Sequence, residues 1–171
     1  MSDRGPIVLV GMMGAGKTTV GRALAARLDV DFVDTDDLVS VSVGCSIREL
    51  FERHGEAHFR RVESSVLEEV LDAITSGVIG CGGGIVTADS NRRLLKDALA
   101  TVVWLRATPT SLAERLDGDA DRPLLDGDVS ERLNALSAER GTWYAEVADA
   151  VVDVDDRSID HIVDEILEAG P

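Results

Sequence analysis

The chain has 171 residues, of which 44% are hydrophobic, and its formal net charge is −15 at pH 7. This length suits one compact domain over residues 1–171 with an ordinary hydrophobic core, and the apolar content excludes a disordered chain. The acidic balance argues against a nucleic-acid partner, which needs a basic face, and no run approaches the roughly 20 apolar residues of a membrane span.

Strand-like and helix-like segments alternate along the whole chain. In chain order, the patterns predict a strand at 6–10, a helix at 17–28, a strand at 30–34, helices at 46–55 and 56–74, and a strand at 77–84. They then predict a helix at 89–98, a strand at 101–105, helices at 109–116 and 129–147, a strand at 151–155 and a last helix at 158–168. This alternation predicts a layered α/β domain with a mainly parallel five-stranded sheet, whose ligands bind at the carboxyl ends of the strands.

The first predicted strand leads into a glycine-rich loop with a phosphate-binding motif. Residues 11–18, GMMGAGKT, match the pattern GxxxxGK followed by Ser or Thr at every fixed position. Backbone N–H groups of such a loop, together with the helix dipole, bind phosphate oxygens. Lys17 is expected to reach the β- and γ-phosphates, and the Thr18 hydroxyl to bind Mg²⁺. The expected ATP-binding residues of this loop are Gly14, Ala15, Gly16, Lys17, Thr18 and Thr19.

The second predicted strand ends in an acidic stretch, DTDD, at 34–37. Two carboxylates at positions i and i+2 beside a phosphate loop suit two tasks. One can hold Mg²⁺ through water, and the other can accept a hydrogen bond or a proton from a substrate hydroxyl. Aspartate is also favoured at helix N-termini, so a purely structural interpretation of this stretch stays open.

The third predicted strand ends in three glycines, Gly82, Gly83 and Gly84. Such a run suggests that the backbone closely approaches a compact ligand, although a plain turn would have the same composition. A GTPase would carry an NKxD motif, and a typical nucleotide hydrolase would carry an acidic residue at the end of its third strand. The sequence has neither feature, and the phosphate loop alone does not determine the function.

Six segments in this order and spacing resemble the shikimate kinase family. They are GMMGAGKTT (11–19), DTDD (34–37), FRRVE (59–63), CGGGIV (81–86), DRPLL (121–125) and ER…WY (139–144). The resemblance extends from about residue 6 to 168. It implies a nucleoside-monophosphate-kinase-like fold with the strand order 2-3-1-4-5 and a mobile lid at about 117–128. It also implies transfer of the γ-phosphoryl group of ATP to the 3-hydroxyl of shikimate, in the route to chorismate and the aromatic amino acids.

The resemblance implies a substrate-binding region at about 34–62. Within it, Asp36 resembles the aspartate that hydrogen-bonds the substrate hydroxyls and can act as the base. Asp34 resembles the aspartate near Mg²⁺, to which it binds through water. Arg60 and the distal Arg140 resemble the pair that binds the substrate carboxylate, and carboxylates favour bidentate guanidinium contacts. The three glycines resemble the segment that contacts the substrate ring and its hydroxyls.

The nucleotide side of the predicted site has two further arginines. Arg122 resembles the lid arginine that reaches the phosphates, and Arg115 resembles the residue that stacks on adenine. Lys17, Mg²⁺ and Arg122 would supply the positive charge that phosphoryl transfer needs. Lys17, Asp36 and Arg122 are therefore the predicted catalytic residues.

Some features depart from the family or have a simpler interpretation. The family often has a proline two residues after the second carboxylate-binding arginine, where this chain has Thr142. It also often has Asn-Pro near the last strand as part of the adenine site, where this chain has DDRSID at 155–160. Arg60 could merely pair with acidic neighbours on its own helix, and Arg140 could be a solvated surface charge.

Two other functions remain possible from the sequence. One is a related small-molecule kinase that acts on gluconate or another polyol or cyclitol. The other is a nucleotide-binding regulator without kinase activity, although the predicted machinery is complete. We expect a cytoplasmic monomer that binds shikimate, ATP and Mg²⁺, and neither nucleic acid nor membrane.

Overall fold

The computed structural model describes residues 5–116 and 129–169. Its strands are β1 (Ile7–Val10), β2 (Phe32–Asp34), β3 (Val78–Gly80), β4 (Thr101–Arg106) and β5 (Ala150–Asp153). They form one parallel sheet in the order β2-β3-β1-β4-β5, which confirms the predicted topology.

Within the described ranges, eight α-helices connect and flank these strands. They are α1 (Lys17–Leu28), α2 (Thr35–Val43), α3 (Ile47–His54), α4 (Glu56–Ala73), α5 (Asp89–Asp97), α6 (Pro109–Leu116), α7 (Val129–Val147) and α8 (Ile159–Ala169). A short 3₁₀ turn, Ile85–Thr87, follows the glycine triplet. None of the helices in these ranges has the length and apolar character needed to cross a membrane.

The central strand β1 explains why the core forms where it does. Val8 pairs with Ile79 on one side and Val102 on the other, and all three side chains are buried. A parallel sheet is covered on both faces, so its strands are apolar without alternation. Because the register aligns Asp34 with Gly80, the ends of β1, β2 and β3 meet at one edge, where the site is built.

A glycine allows α1 to pack directly on this edge of the sheet. A Cβ atom at Gly21 would lie 2.3 Å from the ring of Phe32 on β2. Any larger residue would therefore push α1, whose first turn adjoins the phosphate loop, away from the sheet. The close approach fixes the position of the loop relative to the end of β2.

The structure differs from the sequence predictions at several places. Strand β3 ends at Gly80 rather than at 84, because the glycine triplet turns away from the sheet. Helix α2 was not predicted, because Val39, Val41 and Val43 alternate as in a strand. The Asp34 side chain nevertheless caps this helix by accepting a hydrogen bond from the Asp36 N–H at 3.0 Å. Strand β5 ends at Asp153 rather than at 155. Asp155 instead accepts a hydrogen bond at 2.8 Å from the Thr108 N–H, before α6.

Candidate active site

The loop between β1 and α1 has the geometry of a phosphate-binding loop. Gly16 precedes α1 with φ of 90°, a left-handed conformation that a side chain disfavours. Gly16, the N-cap of α1, makes no side-chain capping hydrogen bond, so within the described part of the chain the first-turn N–H groups are available to an anion. The Lys17 Nζ donates to the carbonyl oxygens of Gly11 and Met12, at 2.8 Å each. The ammonium group therefore lies against the loop that it is predicted to serve.

The two residues predicted at the metal contact each other. The Thr18 hydroxyl donates to Asp34 Oδ2 at 2.9 Å, while Asp34 Oδ1 accepts from the Asp36 N–H. Asp34 is thus the N-cap of α2, so the structural interpretation of the acidic stretch is correct for Asp34, while its functional interpretation stays a prediction. Hydroxyl and carboxylate oxygens are the ligands that Mg²⁺ prefers, and this pair fits one.

The glycine triplet lies between the phosphate loop and the acidic groups. A Cβ atom at Gly83 would lie 3.0 Å from Met13 N in the loop, and one at Gly82 would lie 2.6 Å from Asp36 Oδ1. The Gly82 N–H donates to the hydroxyl of the fully buried Thr35 at 3.1 Å. The acidic stretch, the triplet and the loop therefore form one continuous surface.

Arg60 is ion-paired on its own helix, as its simpler interpretation predicted, and it also faces the triplet. Its guanidinium lies 2.7 Å from Glu63 Oε2 and 3.3 Å from Glu56 Oε1. A Cβ atom at Gly84 would lie 2.1 Å from Arg60 Nη1, so a side chain at this position would displace the guanidinium. Helix surface pairing and a position in the site are thus compatible for Arg60.

Glu63 is a buried acid that the sequence analysis did not single out. Its side chain is 1% exposed, and Oε1 has no hydrogen-bond partner among the described residues. Burial raises the pKa of Glu63, the Arg60 guanidinium opposes this shift, and Asp36 adds to it. The sequence signal was a carboxylate in line with Phe59, Val66 and Val70, on the apolar face of α4.

Replacing Arg60 by methionine is expected to lower the free energy of unfolding by about 3 kcal/mol, because it removes the partner of a buried carboxylate. The double variant Arg60→Met/Glu63→Gln should recover most of this loss, since no buried charge remains. Urea unfolding of both variants measures the difference. Arg61→Met is the matched control, because Arg61 is exposed and contacts His58. A double variant as unstable as the single one would contradict this account.

Arg140 is buried rather than solvated, which excludes its simpler interpretation. Its exposed fraction is 3%, and Nη1 donates to the Gly83 carbonyl at 3.2 Å. Its Nε has no partner in the described part of the chain. The Tyr144 hydroxyl, one helical turn further along α7, donates to the same carbonyl. Arg60 thus lies against Gly84, and Arg140 against the neighbouring Gly83.

Arg115 connects the phosphate loop with the segment that follows β5. Its guanidinium donates to the carbonyl oxygens of Gly14, at 3.3 Å, and Val154, at 3.1 Å. Asp155 is 3.8 Å away; burial raises its pKa, but the hydrogen bonds from Thr108 and Ser111 and the charge of Arg115 together produce a net lowering. The segment that lacks the family's Asn-Pro therefore still contacts Arg115. Arg122 and the predicted lid at 117–128 lie outside the described residues.

Comparisons with known proteins agree with this geometry. A family model for shikimate kinase matches residues 13–170. The chain belongs to the shikimate kinase family. The shikimate kinase of Synechococcus sp. (strain CC9605) is 44% identical over 167 residues, which cover 96% of this chain and 82% of that protein. Membership confirms the predicted activity: the chain is a kinase that uses ATP to phosphorylate shikimate.

Solved structures support the same family and give little support to the alternative of a gluconate kinase. The shikimate kinase from Acinetobacter baumannii in complex with shikimate has a TM-score of 0.92 and 36% identity, covering 96% of this chain and 92% of that chain. A gluconokinase from Sinorhizobium meliloti has a TM-score of 0.58 at 20% identity, covering 99% and 93%. At that identity the gluconokinase shares the fold alone.

Proposed function

We propose that the residues at this edge of the sheet bind shikimate against the phosphate loop and transfer the γ-phosphoryl group of ATP to its 3-hydroxyl. The observation that carries the proposal is the position of the glycine triplet. Gly83 packs against Met13 of the loop, while Gly82 packs against Asp36 and Gly84 against Arg60. An acceptor lying on the triplet would therefore be adjacent to the phosphates, with its polar partners around it.

On the acceptor side, Arg60 and Arg140 bind the carboxylate of shikimate, and Asp36 binds its reacting hydroxyl. Arg60 and Arg140 present guanidinium groups at the two ends of the Gly83-Gly84 segment. Bidentate contacts from them would fix the ring in one orientation, with the reacting hydroxyl near Asp36. Asp36 then accepts the proton of that hydroxyl as the oxygen attacks the γ-phosphorus, whose bond to the β–γ bridging oxygen breaks to release ADP.

On the nucleotide side, the loop N–H groups and Lys17 bind the phosphates. The Lys17 ammonium moves from the carbonyl oxygens of Gly11 and Met12 to the β- and γ-phosphate oxygens, where negative charge accumulates during transfer. Arg115 would flank the adenine, and Arg122 is proposed to add charge from the lid. Thr18, and Asp34 through water, would hold Mg²⁺, which when bound would supply positive charge to the phosphates.

We further infer that the enzyme is a cytoplasmic monomer without a nucleic-acid partner. Cys45 and Cys81 are both free thiols, as is usual in a reducing compartment. The net charge of −15 would repel a polyanion. Light scattering at the concentration of the activity assay tests the oligomeric state, and a stable dimer mass would contradict this inference.

The carboxylate-binding role of the arginines gives a direct test of the acceptor assignment. The methyl ester of shikimate keeps the ring hydroxyls and removes the charge, so we expect its kcat/KM to be at least about a hundredfold lower than that of shikimate. In Arg140→Met, the preference for the acid over the ester should shrink to within about tenfold. An unchanged preference in this variant would contradict carboxylate binding by Arg140.

A further inference from the structure

Tyr144 contacts the glycine triplet but is not one of the predicted site residues. Its side chain is 1% exposed, and its ring stacks on Trp104 of β4 with centroids 5.6 Å apart. Its hydroxyl donates to the Gly83 carbonyl, which also accepts from Arg140. One carbonyl therefore connects the triplet to two side chains of α7.

The hydroxyl of Tyr144 is held in its donating form. Burial raises the pKa of Tyr144 well above its ordinary value, although the nearby Arg140 guanidinium acts in the opposite direction. The phenol is thus protonated throughout the neutral range and can serve the Gly83 carbonyl at any working pH. A carbonyl oxygen has two lone pairs, so the tyrosine and the arginine occupy both acceptor positions.

We propose that Tyr144 is a positioning residue, which orients the glycine turn and frees Arg140 to bind the substrate carboxylate. When Arg140 turns its N–H groups toward a carboxylate, the Gly83 carbonyl would lose a donor in a partly buried place, which is costly. The Tyr144 hydroxyl keeps this carbonyl satisfied throughout. The ring stack on Trp104 sets the position of that hydroxyl on the sheet, independently of the substrate.

The inference rests on the proposed carboxylate role of Arg140 and predicts a selective defect. Tyr144→Phe keeps the ring and its stack and removes only the donor. The shikimate KM should rise roughly fivefold, because the loss of one partly buried hydrogen bond has effects of this size. The change should leave kcat within about twofold and the ATP KM unchanged, since the carboxylate is remote from the reacting oxygen.

The experiment is a double-variant cycle measured as kcat/KM for shikimate. Tyr144→Phe is made alone and together with Arg140→Met, and thermal melting is recorded for every protein. If the tyrosine acts through the shared carbonyl, its fivefold effect should fall to less than about twofold when Arg140 is absent. The matched control is Asn134→Ala, which removes an exposed donor to the Ser130 carbonyl on the same helix and should change neither constant.

Each outcome decides between positioning and simple packing. A raised shikimate KM that disappears in the Arg140→Met background supports positioning. Equal fivefold effects in both backgrounds, a fall in kcat with no change in KM, or a parallel rise in the ATP KM would overturn it. If Tyr144→Phe melts early, the comparison is repeated well below its melting temperature, where a packing defect alone leaves KM unchanged. The proposed carboxylate role itself is tested separately by the ester preference of Arg140→Met.

Discussion

Replacing Lys17 by methionine is expected to lower kcat by roughly a thousandfold or more, because phosphoryl transfer depends on positive charge at the phosphate oxygens. Methionine preserves much of the length of the side chain and removes the ammonium group. Lys17 Nζ is already placed on the loop, 2.8 Å from two of its carbonyl oxygens. Steady-state kinetics with saturating Mg²⁺, ATP and shikimate measures the effect.

The chain provides an unusually clean control for this variant, because Lys96 is the only other lysine. Lys96 lies on α5, is half exposed and pairs with Glu146 at 3.5 Å. Exposed pairs of this kind contribute about 1 kcal/mol or less to stability. Lys96→Met should therefore keep wild-type kcat. Full activity in Lys17→Met, or equal losses in both variants, would contradict the role assigned to the loop lysine.

Replacing Asp36 by asparagine is expected to lower kcat by a factor of about 10² to 10⁴, the usual contribution of a positioned base. The amide can still hydrogen-bond a substrate hydroxyl, so the shikimate KM should change much less than kcat. Asp36 Oδ1 lies where a Cβ atom at Gly82 would approach within 2.6 Å, which places the carboxylate on the acceptor surface. Initial rates over a range of shikimate concentrations separate the two constants.

Asp37→Asn is the control for this second prediction. Asp36 and Asp37 both lie in the first turn of α2, so each substitution removes one negative charge from the same helix N-terminus. Asp37 is exposed, and no role in binding is assigned to it. Its kcat should stay near the wild-type value. A thousandfold loss in Asp37→Asn, or none in Asp36→Asn, would move the base to another residue.

The parts of the site that the sequence predicted are those in which neighbouring residues act together. The phosphate loop is a local motif, because its glycines and Lys17 lie within a few positions of one another. The acidic stretch and the glycine triplet could be placed together because parallel strands end at one edge of the sheet. The register of Asp34 with Gly80 confirms that arrangement.

The parts that the sequence left out depend on contacts between distant elements. Thr35 and Gly82 are 47 positions apart, and Tyr144 and Gly83 are 61 positions apart, so no local pattern links them. Glu63 did leave a signal, a carboxylate on an apolar helix face. Helix α2 was missed because alternating valines favour a strand, whereas the Asp34 cap and the burial of Val39 determine the outcome.

The most direct test of the central claim is ADP release by the purified protein with Mg²⁺, ATP and one of three acceptors: shikimate, gluconate or AMP. We expect fast, saturable release with shikimate alone. No release with shikimate at either low or high salt, with release in the presence of gluconate or AMP, would contradict the assignment of shikimate as the acceptor. The acceptor bound on the glycine triplet would then have to be another hydroxylated molecule.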